Sequence, residues 1–353
     1  MSGMPTTPSS ARATSPGSTR ERMRRAPVET GLGMRPAPDA ARGVARIQAP
    51  IGPGGRTAGG GIAPVLPALL ADSGIGYLVF STAKLTAGAP TLDLRLDLVG
   101  APAPEARWLT AGLTLLHLDD EIGVGRAEMR DDTGVLVAHA VVTMALSGVP
   151  ARPGGLATGG GPVDPDARGT RDGDSPDAGE PDFRSALPPF DPSRLDPAAL
   201  EVADVGGDVL FTPGPSTANL NGTTHGAVLS GLAAAAQASH LRRSDGAAAR
   251  SAGAPHGADA RSAGAPLGAD ARSAGAPLGG PVRPLSLTVE FLRPVQVDAT
   301  LQARSETVRD GRRFWSVRTE LLLPDGRPAV RAVGGGLRSA GSGAPGDRVR
   351  TAG

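Results

Sequence analysis

Residues 91–98 read Thr-Leu-Asp-Leu-Arg-Leu-Asp-Leu, and residues 284–292 read Pro-Leu-Ser-Leu-Thr-Val-Glu-Phe-Leu. Both runs alternate apolar and polar side chains, the period of a half-buried antiparallel strand. An offset of 193 carries Leu94 to Leu287, Leu96 to Val289, Leu98 to Phe291 and Trp108 to Leu301. With an offset of 192, Gly134 falls on Gly326. Slipping a strand by one residue turns all its apolar side chains outward. A register kept over this distance therefore marks an internal duplication. Each copy opens with a helix and continues with four strands. In the first, the spacing predicts a helix over 62–81, with Pro64 and Pro67 tolerated in its first turn. Its strands fall at 91–98, 107–118, 122–130 and 134–146. In the second copy an Ala-rich helix over 227–241 precedes strands at 284–292, 300–309, 312–323 and 327–337. Asp132-Thr133-Gly134, Asp310-Gly311 and Asp325-Gly326 are the hairpin turns.

Around these blocks the composition changes. Of 353 residues 51 are Gly and 34 are Pro, about twice the usual share. They concentrate in segments without periodicity, which are expected to be disordered: a tail at 1–40, a linker at 150–182 and a tail at 339–353. A low-complexity loop is expected at 242–281. It carries an 11-residue tandem repeat (AAARSAGAPHG, then ADARSAGAPLG twice) that lacks the bulky apolar residues a solenoid would stack. What is left is an N-terminal unit at 41–149 and a C-terminal unit at 183–338.

Several function classes drop out. The chain has no Cys, which excludes disulfides, thiolate zinc and a cysteine nucleophile. A formal charge of +1 argues against a nucleic-acid partner. We expect no membrane span, since no window holds the roughly 18 apolar residues required, and no secretory signal, since the start lacks an apolar core. A cytoplasmic protein follows as the expectation. His117 and His139 lie in strands and His240 ends the second helix. No His–carboxylate spacing resembles a metal site.

The most specific local pattern is Asn219-Leu220-Asn221-Gly222-Thr223-Thr224-His225-Gly226, directly ahead of the second helix. Such a start leaves the first helical N–H groups free and aims the positive end of the helix dipole outward, where a carbonyl oxygen can be polarised. An ordinary Asx turn followed by a Thr224 N-cap explains the same residues. The motif, together with a strand ending in Phe291-Leu292-Arg293-Pro294, resembles the hotdog-fold acyl-CoA thioesterases of the phenylacetate (PaaI-like) type. Two such units in one chain resemble the double-hotdog thioesterases. The resemblance implies an α+β, tandem hotdog fold, each unit a long helix wrapped by a curved antiparallel sheet, with each site lying across the interface.

The family's functional residues carry over unevenly. The resemblance places the loop Asn at Asn219 and the helix-start Gly, whose N–H binds the thioester oxygen, at Gly226. His225, Thr224 and Arg293 become substrate-binding candidates, Arg293 for the phosphates of coenzyme A. The family's acid would fall at Ala234, which has no carboxylate. In the first copy Asp72 takes the acid's place and Thr91 lies where a hydroxyl holds the catalytic water, yet the stretch from Arg56 to Pro64 has neither the Asn nor the His-Gly. Since the losses are complementary, one composite site is expected: Asp72 and Thr91 with Asn219 and Gly226. Its partners are an acyl-CoA or acyl-carrier thioester and further copies of the chain, with no metal or redox cofactor. The alternatives are a non-catalytic acyl-CoA-binding or structural hotdog protein, and a cap role for Asp72 in a helix restarting at Ser73. A hotdog hydratase is disfavoured because TANLNGTTHG lacks that branch's Asp and Pro.

Overall fold

Both sets of strand-forming runs join one antiparallel sheet. The computed structural model describes residues 26–38, 45–57, 59–151, 188–203, 206–219, 221–253, 282–311 and 313–338. Disorder expected for 1–25, 39–40, 152–182, 254–281 and 339–353 lies outside the described residues, whereas Pro150 and Ala151, assigned to the linker, pair with Thr86 and Leu85. In chain order the first half comprises α1 (Pro27–Gly31), β1 (Arg35–Pro36), β2 (Arg46–Pro50), α2 (Val65–Thr82), β3 (Thr91–Leu98), β4 (Trp108–Leu118), β5 (Ile122–Asp131) and β6 (Leu136–Ala145). The second half comprises β7 (Glu201–Val202), β8 (Val209–Phe211), α3 (Gly226–Gly253), β9 (Val282–Phe291), β10 (Leu301–Asp310), β11 (Phe314–Leu322) and β12 (Pro328–Arg338).

The 12-stranded sheet runs β1-β2-β4-β5-β6-β3-β9-β12-β11-β10-β8-β7, so its two halves repeat one order read from opposite edges. They meet at β3 and β9, where Leu94 pairs with Val289, Arg95 with Thr288 and Leu96 with Leu287. Thr288 is the residue that an offset of 193 assigns to Arg95. Strands β3 and β9, copies of one another, are thus paired together, and a pseudo-two-fold axis passes through the Arg95–Thr288 pair. Gly134 and Gly326, the equivalent turn glycines, both adopt positive φ, at 92° and 80°.

The helices lie on the same side of this sheet and pack on each other. Helix α2 contacts β4, β5 and β6, and α3 contacts β10 and β11. Leu66, Leu69, Leu70 and Ile75 of α2 are fully buried, as are Leu94, Leu96 and Met129 of the sheet. Gly226 lies against Asp72 and Gly231 against Val65, so the helices run antiparallel. At Gly231 a Cβ would come within 2.8 Å of Val65 Cβ; a larger residue there would force the helices apart.

Four expectations need correction. Residues 26–38 are folded rather than part of a disordered tail: Pro27 opens α1, and Val28, Leu32 and Met34 are buried. Helix α3 continues to Gly253, into the stretch assigned to the 242–281 loop. Its Ala-rich continuation favours helix, and Arg338 holds Asp245 at 2.8 Å. Helix α2 starts at Val65 rather than at 62, with Pro64 at its N-cap. Its window Val65–Thr82 is also long and apolar enough to cross a membrane, although none was expected. Here that composition serves a core helix, most of which is buried.

Candidate active site

Four elements bring polar side chains to one buried spot where α2 crosses the start of α3. Strand β3 contributes through an irregularity. Thr91 pairs with Met144, but the next pair is Asp93 with Thr143, so Leu92 is the extra residue of a bulge. Strict alternation back from Leu94 would bury Leu92 and expose Thr91. Instead Leu92 is 42% exposed, and Thr91 Oγ1 donates a 2.6 Å hydrogen bond to Asp72 Oδ1. Bulges re-aim side chains in this way.

Asp72 sits midway along α2 and is only 7% exposed. Its second oxygen, Oδ2, faces the other unit. It lies 3.4 Å from His225 Nδ1, and a Cβ built on Gly226 would be 2.6 Å from it and 3.3 Å from Phe291 Cζ. Burial pushes the Asp72 carboxyl above the ordinary carboxylate range; the His225 charge and the Thr91 hydrogen bond offset part of that rise, and the Glu29 charge adds to it. An acid in a dry environment with few donors behaves this way.

His225 immediately precedes α3. Its backbone N–H donates to the Thr217 carbonyl, which fixes the ring between two carboxylates. Nε2 lies 3.2 Å from Glu29 Oε1 and 3.0 Å from Ser73 Oγ. Nδ1 accepts from the Ala227 N–H at 3.0 Å. Burial pulls the imidazole pKa down, but the charge and hydrogen bond of Glu29, with help from Asp72, leave it raised. Glu29 Oε1 also accepts from Ser73 Oγ at 2.8 Å and Tyr77 Oη at 3.3 Å. Burial pushes Glu29 up, yet the His225 charge and these hydrogen bonds leave it below its usual value. The two carboxylates address opposite ring nitrogens and cannot converge on one ion. Among the described residues no His, Asp and Glu cluster is arranged to hold a metal.

The start of α3 completes the arrangement. Val228 and Leu229 N–H groups both donate to the His225 carbonyl, and the Ala227 N–H is used by the imidazole. That leaves the Gly226 N–H, among the described residues, without an acceptor in the protein. It lies at the positive end of a 28-residue helix, where negative charge is favoured.

The other candidates are engaged differently. Asn219 Oδ1 accepts from the N–H groups of Asn221 (2.9 Å) and Thr223 (3.2 Å), and its Nδ2 donates to Thr223 Oγ1. This is the Asx turn the sequence allowed. Thr224 donates its N–H to the Val295 carbonyl, which pins the loop to the segment after β9. Arg293 Nη1 donates to the Pro328 carbonyl. The structure thus gathers Asp72, Thr91, His225 and Gly226, and occupies Asn219, Thr224 and Arg293 within their own surroundings. Glu29, Ser73 and Tyr77 were missed. Pro27 with an acid two residues on is a helix-start signature, and Ser73 beside Asp72 interrupts an otherwise apolar run; both signals were present in the sequence.

Two units of one hotdog architecture thus share one sheet, and a buried acid from one helix faces the start of the other. The signature of an acyl-CoA thioesterase C-terminal domain matches residues 3–145, and that of an acyl-CoA thioesterase N-terminal domain matches residues 215–334. The chain belongs to the acyl-CoA thioesterase family and is a thioester hydrolase with both of that family's domains, in reversed order along the chain. Similar solved structures include the acyl-CoA thioesterase II TesB2 from Mycobacterium marinum, at 11% identity over 86% of this chain and 94% of that one, TM-score 0.44. An acyl-ACP thioesterase from Bacteroides thetaiotaomicron shares 10% identity over 83% and 97%, TM-score 0.42. A point mutant of the phenylacetic acid degradation protein PaaI from Thermus thermophilus shares 22% over 40% and 90%, TM-score 0.27. No curated protein matches the chain.

Proposed function

We propose that the chain hydrolyses an acyl-CoA thioester at one composite site, with Asp72 and Thr91 supplied by the first unit and Gly226 and His225 by the second. The thioester carbonyl oxygen accepts from the Gly226 N–H, where the α3 dipole stabilises the negative charge that develops on it. Asp72 acts as general base, its raised pKa suiting proton removal near neutral pH. The Thr91 hydroxyl, already donating to Asp72, presents its oxygen to the attacking water. Asp72 takes one proton from that water, the hydroxide adds to the carbonyl carbon, and the tetrahedral intermediate collapses to the free acid and the coenzyme A thiolate. Asn219 shapes the loop that presents Gly226, Thr224 anchors it, and the donors of Arg293 not bonded to Pro328 face the phosphates of coenzyme A. The mirror-related position falls at Ala234 and Pro64, which offer neither a carboxylate nor an N–H, so each chain carries one site. No metal or redox cofactor takes part. The protein works in the cytoplasm, away from membranes and nucleic acid, as an assembly of double-hotdog chains.

The supporting observation is the contact across the unit boundary, with Asp72 Oδ2 only 2.6 Å from where a Gly226 Cβ would stand. The test is Asp72→Asn, assayed by free-thiol release from a panel of acyl-CoAs. Turnover is expected to fall by about 10²–10⁴-fold, the usual worth of a general base. A rate equal to the parent's would overturn the composite site.

A further inference from the structure

Glu29 is carried by α1, ahead of the long helix of the first unit, in a segment whose Val28, Leu32 and Met34 join the core. The Pro27 carbonyl at the start of α1 accepts from the Phe190 N–H, and Gly31 at its end lies against the Phe190 backbone. The helix also packs on the Pro215–Thr217 turn of the second unit. The carboxylate it delivers is 2% exposed, and its Oε2 has no hydrogen-bond partner. Burying an acid with one oxygen unsatisfied is costly, and nothing in the packing of a five-residue helix requires an acid at that point.

The groups around His225 show what the acid does. Glu29 comes from α1, Asp72 and Ser73 from α2, and the Ala227 N–H from α3. The charges acting on the ring are those of Glu29 and Asp72. Ser73 gives its proton to Glu29, so its oxygen accepts from Nε2–H, and Nε2 is protonated. Nδ1 is the contested nitrogen. The Ala227 N–H at 3.0 Å asks it for a lone pair, whereas the Asp72 oxygen at 3.4 Å is placed to pair with it when the ring is protonated. With that proton on Asp72 the acid cannot act as a base. With it on Nδ1 Asp72 is a carboxylate.

We propose that Glu29 is a positioning residue for hydrolysis: its buried carboxylate draws a proton onto His225 Nδ1 and leaves Asp72 ionised to receive the proton of the attacking water. The N-terminal arm is then a working part of the site. This inference rests on the reading of Asp72 as the base.

The test uses the full-length chain. Histidine rings are titrated by NMR, the His225 signal being assigned by its loss in His225→Gln, and kcat/KM is followed against pH for the parent and Glu29→Gln. In the parent, His225 is expected to titrate above the ordinary imidazole value. Glu29→Gln should lower that value and, because the His225 charge acts on Asp72 more strongly than the direct repulsion from Glu29 does, move the acid limb of kcat/KM up by about one pH unit. Glu29→Asp, which keeps the charge, should restore the parental profile if the Gln variant folds poorly. The role assigned to Glu29 falls if His225 in the parent titrates at or below the ordinary value, or if the Glu29→Gln and parental acid limbs coincide. Should Asp72→Asn remain active, the site itself fails. If Asp72→Asn is dead and the acid limbs still coincide, the site stands and only Glu29 loses its part.

Discussion

The first unit has kept an acid on its helix and a bulge that turns a hydroxyl toward it; ahead of that helix it has only Pro64. The second unit has kept the Asx-turn loop, the imidazole and an unoccupied helix N–H, and has Ala234 in the acid's place. Both retain the same strand order and register. Architecture and chemistry have therefore been held by different constraints. A strand must keep its alternation or the core opens to water, whereas a site built across a two-fold axis needs each kind of group from one copy only. The same geometry accommodates the reversed order of the domains. Exchanging the halves about the β3–β9 axis restores the same interface, so the order in which they are joined is immaterial to the site.

The largest way to break this division of labour is Asp72→Asn, with the loss given above. Next comes Gly226→Ala. Its methyl group would meet Asp72 Oδ2 at 2.6 Å and displace the acid from the oxyanion donor. We expect about a hundredfold fall in kcat, with circular dichroism and Tm close to the parent's. Thr91→Val should have a milder effect. Removing the hydroxyl takes away a hydrogen bond that lowers the Asp72 pKa, so the acid limb of the rate profile should rise and kcat near neutral pH should fall roughly tenfold. Glu29→Gln moves that limb in the same direction through His225. The smallest effect is on stability and sharpens the picture of how the arm is held. Glu29 has a lowered folded pKa, so its stabilising contribution is present above the ordinary carboxylate value and is lost as pH falls through the folded one. His225 has a raised folded pKa, so its contribution is present below the ordinary imidazole value and is lost as pH rises through the folded one. Tm should be highest between those two limits. In thermal melts across pH, Glu29→Gln should flatten both shoulders.

The architecture was legible because alternation over eight or more residues, repeated at a fixed offset, leaves little freedom. Asp72 and Gly226, which the structure places side by side, stood out as candidates for a related reason: a lone acid in an apolar helix and a glycine after a histidine differ from their neighbours. Leu92 shows where this reasoning stops. It continues the alternation by composition, and only the pairing of its neighbours reveals that it lies outside the sheet register and thereby turns Thr91 inward. Glu29 carried only a helix-start signal, with nothing to tie it to the site. A helix of five residues has no periodicity to detect, and its order comes from Phe190 and the Pro215–Thr217 turn, which are distant in sequence. Helix α3 outruns its expected end because Ala-rich sequence of low complexity reads as loop by composition and as helix by propensity. The window of α2 is not an unbroken apolar run, since Asp72, Ser73 and Tyr77 lie within it, yet its length and mean hydropathy are those of a span.

The pairing of Arg95 with Thr288 carries a last consequence. In a symmetric association of identical subunits, a residue on the axis must face itself, and an arginine there would confront another arginine directly across the ladder, a repulsive arrangement. Here Arg95 faces a threonine and turns its guanidinium to the neighbouring Asp97 at 3.4 Å. Fusion into one polypeptide released this position from the requirement to tolerate its own likeness, so the seam between the halves can carry a side chain that no homodimer of the first half could accept without penalty.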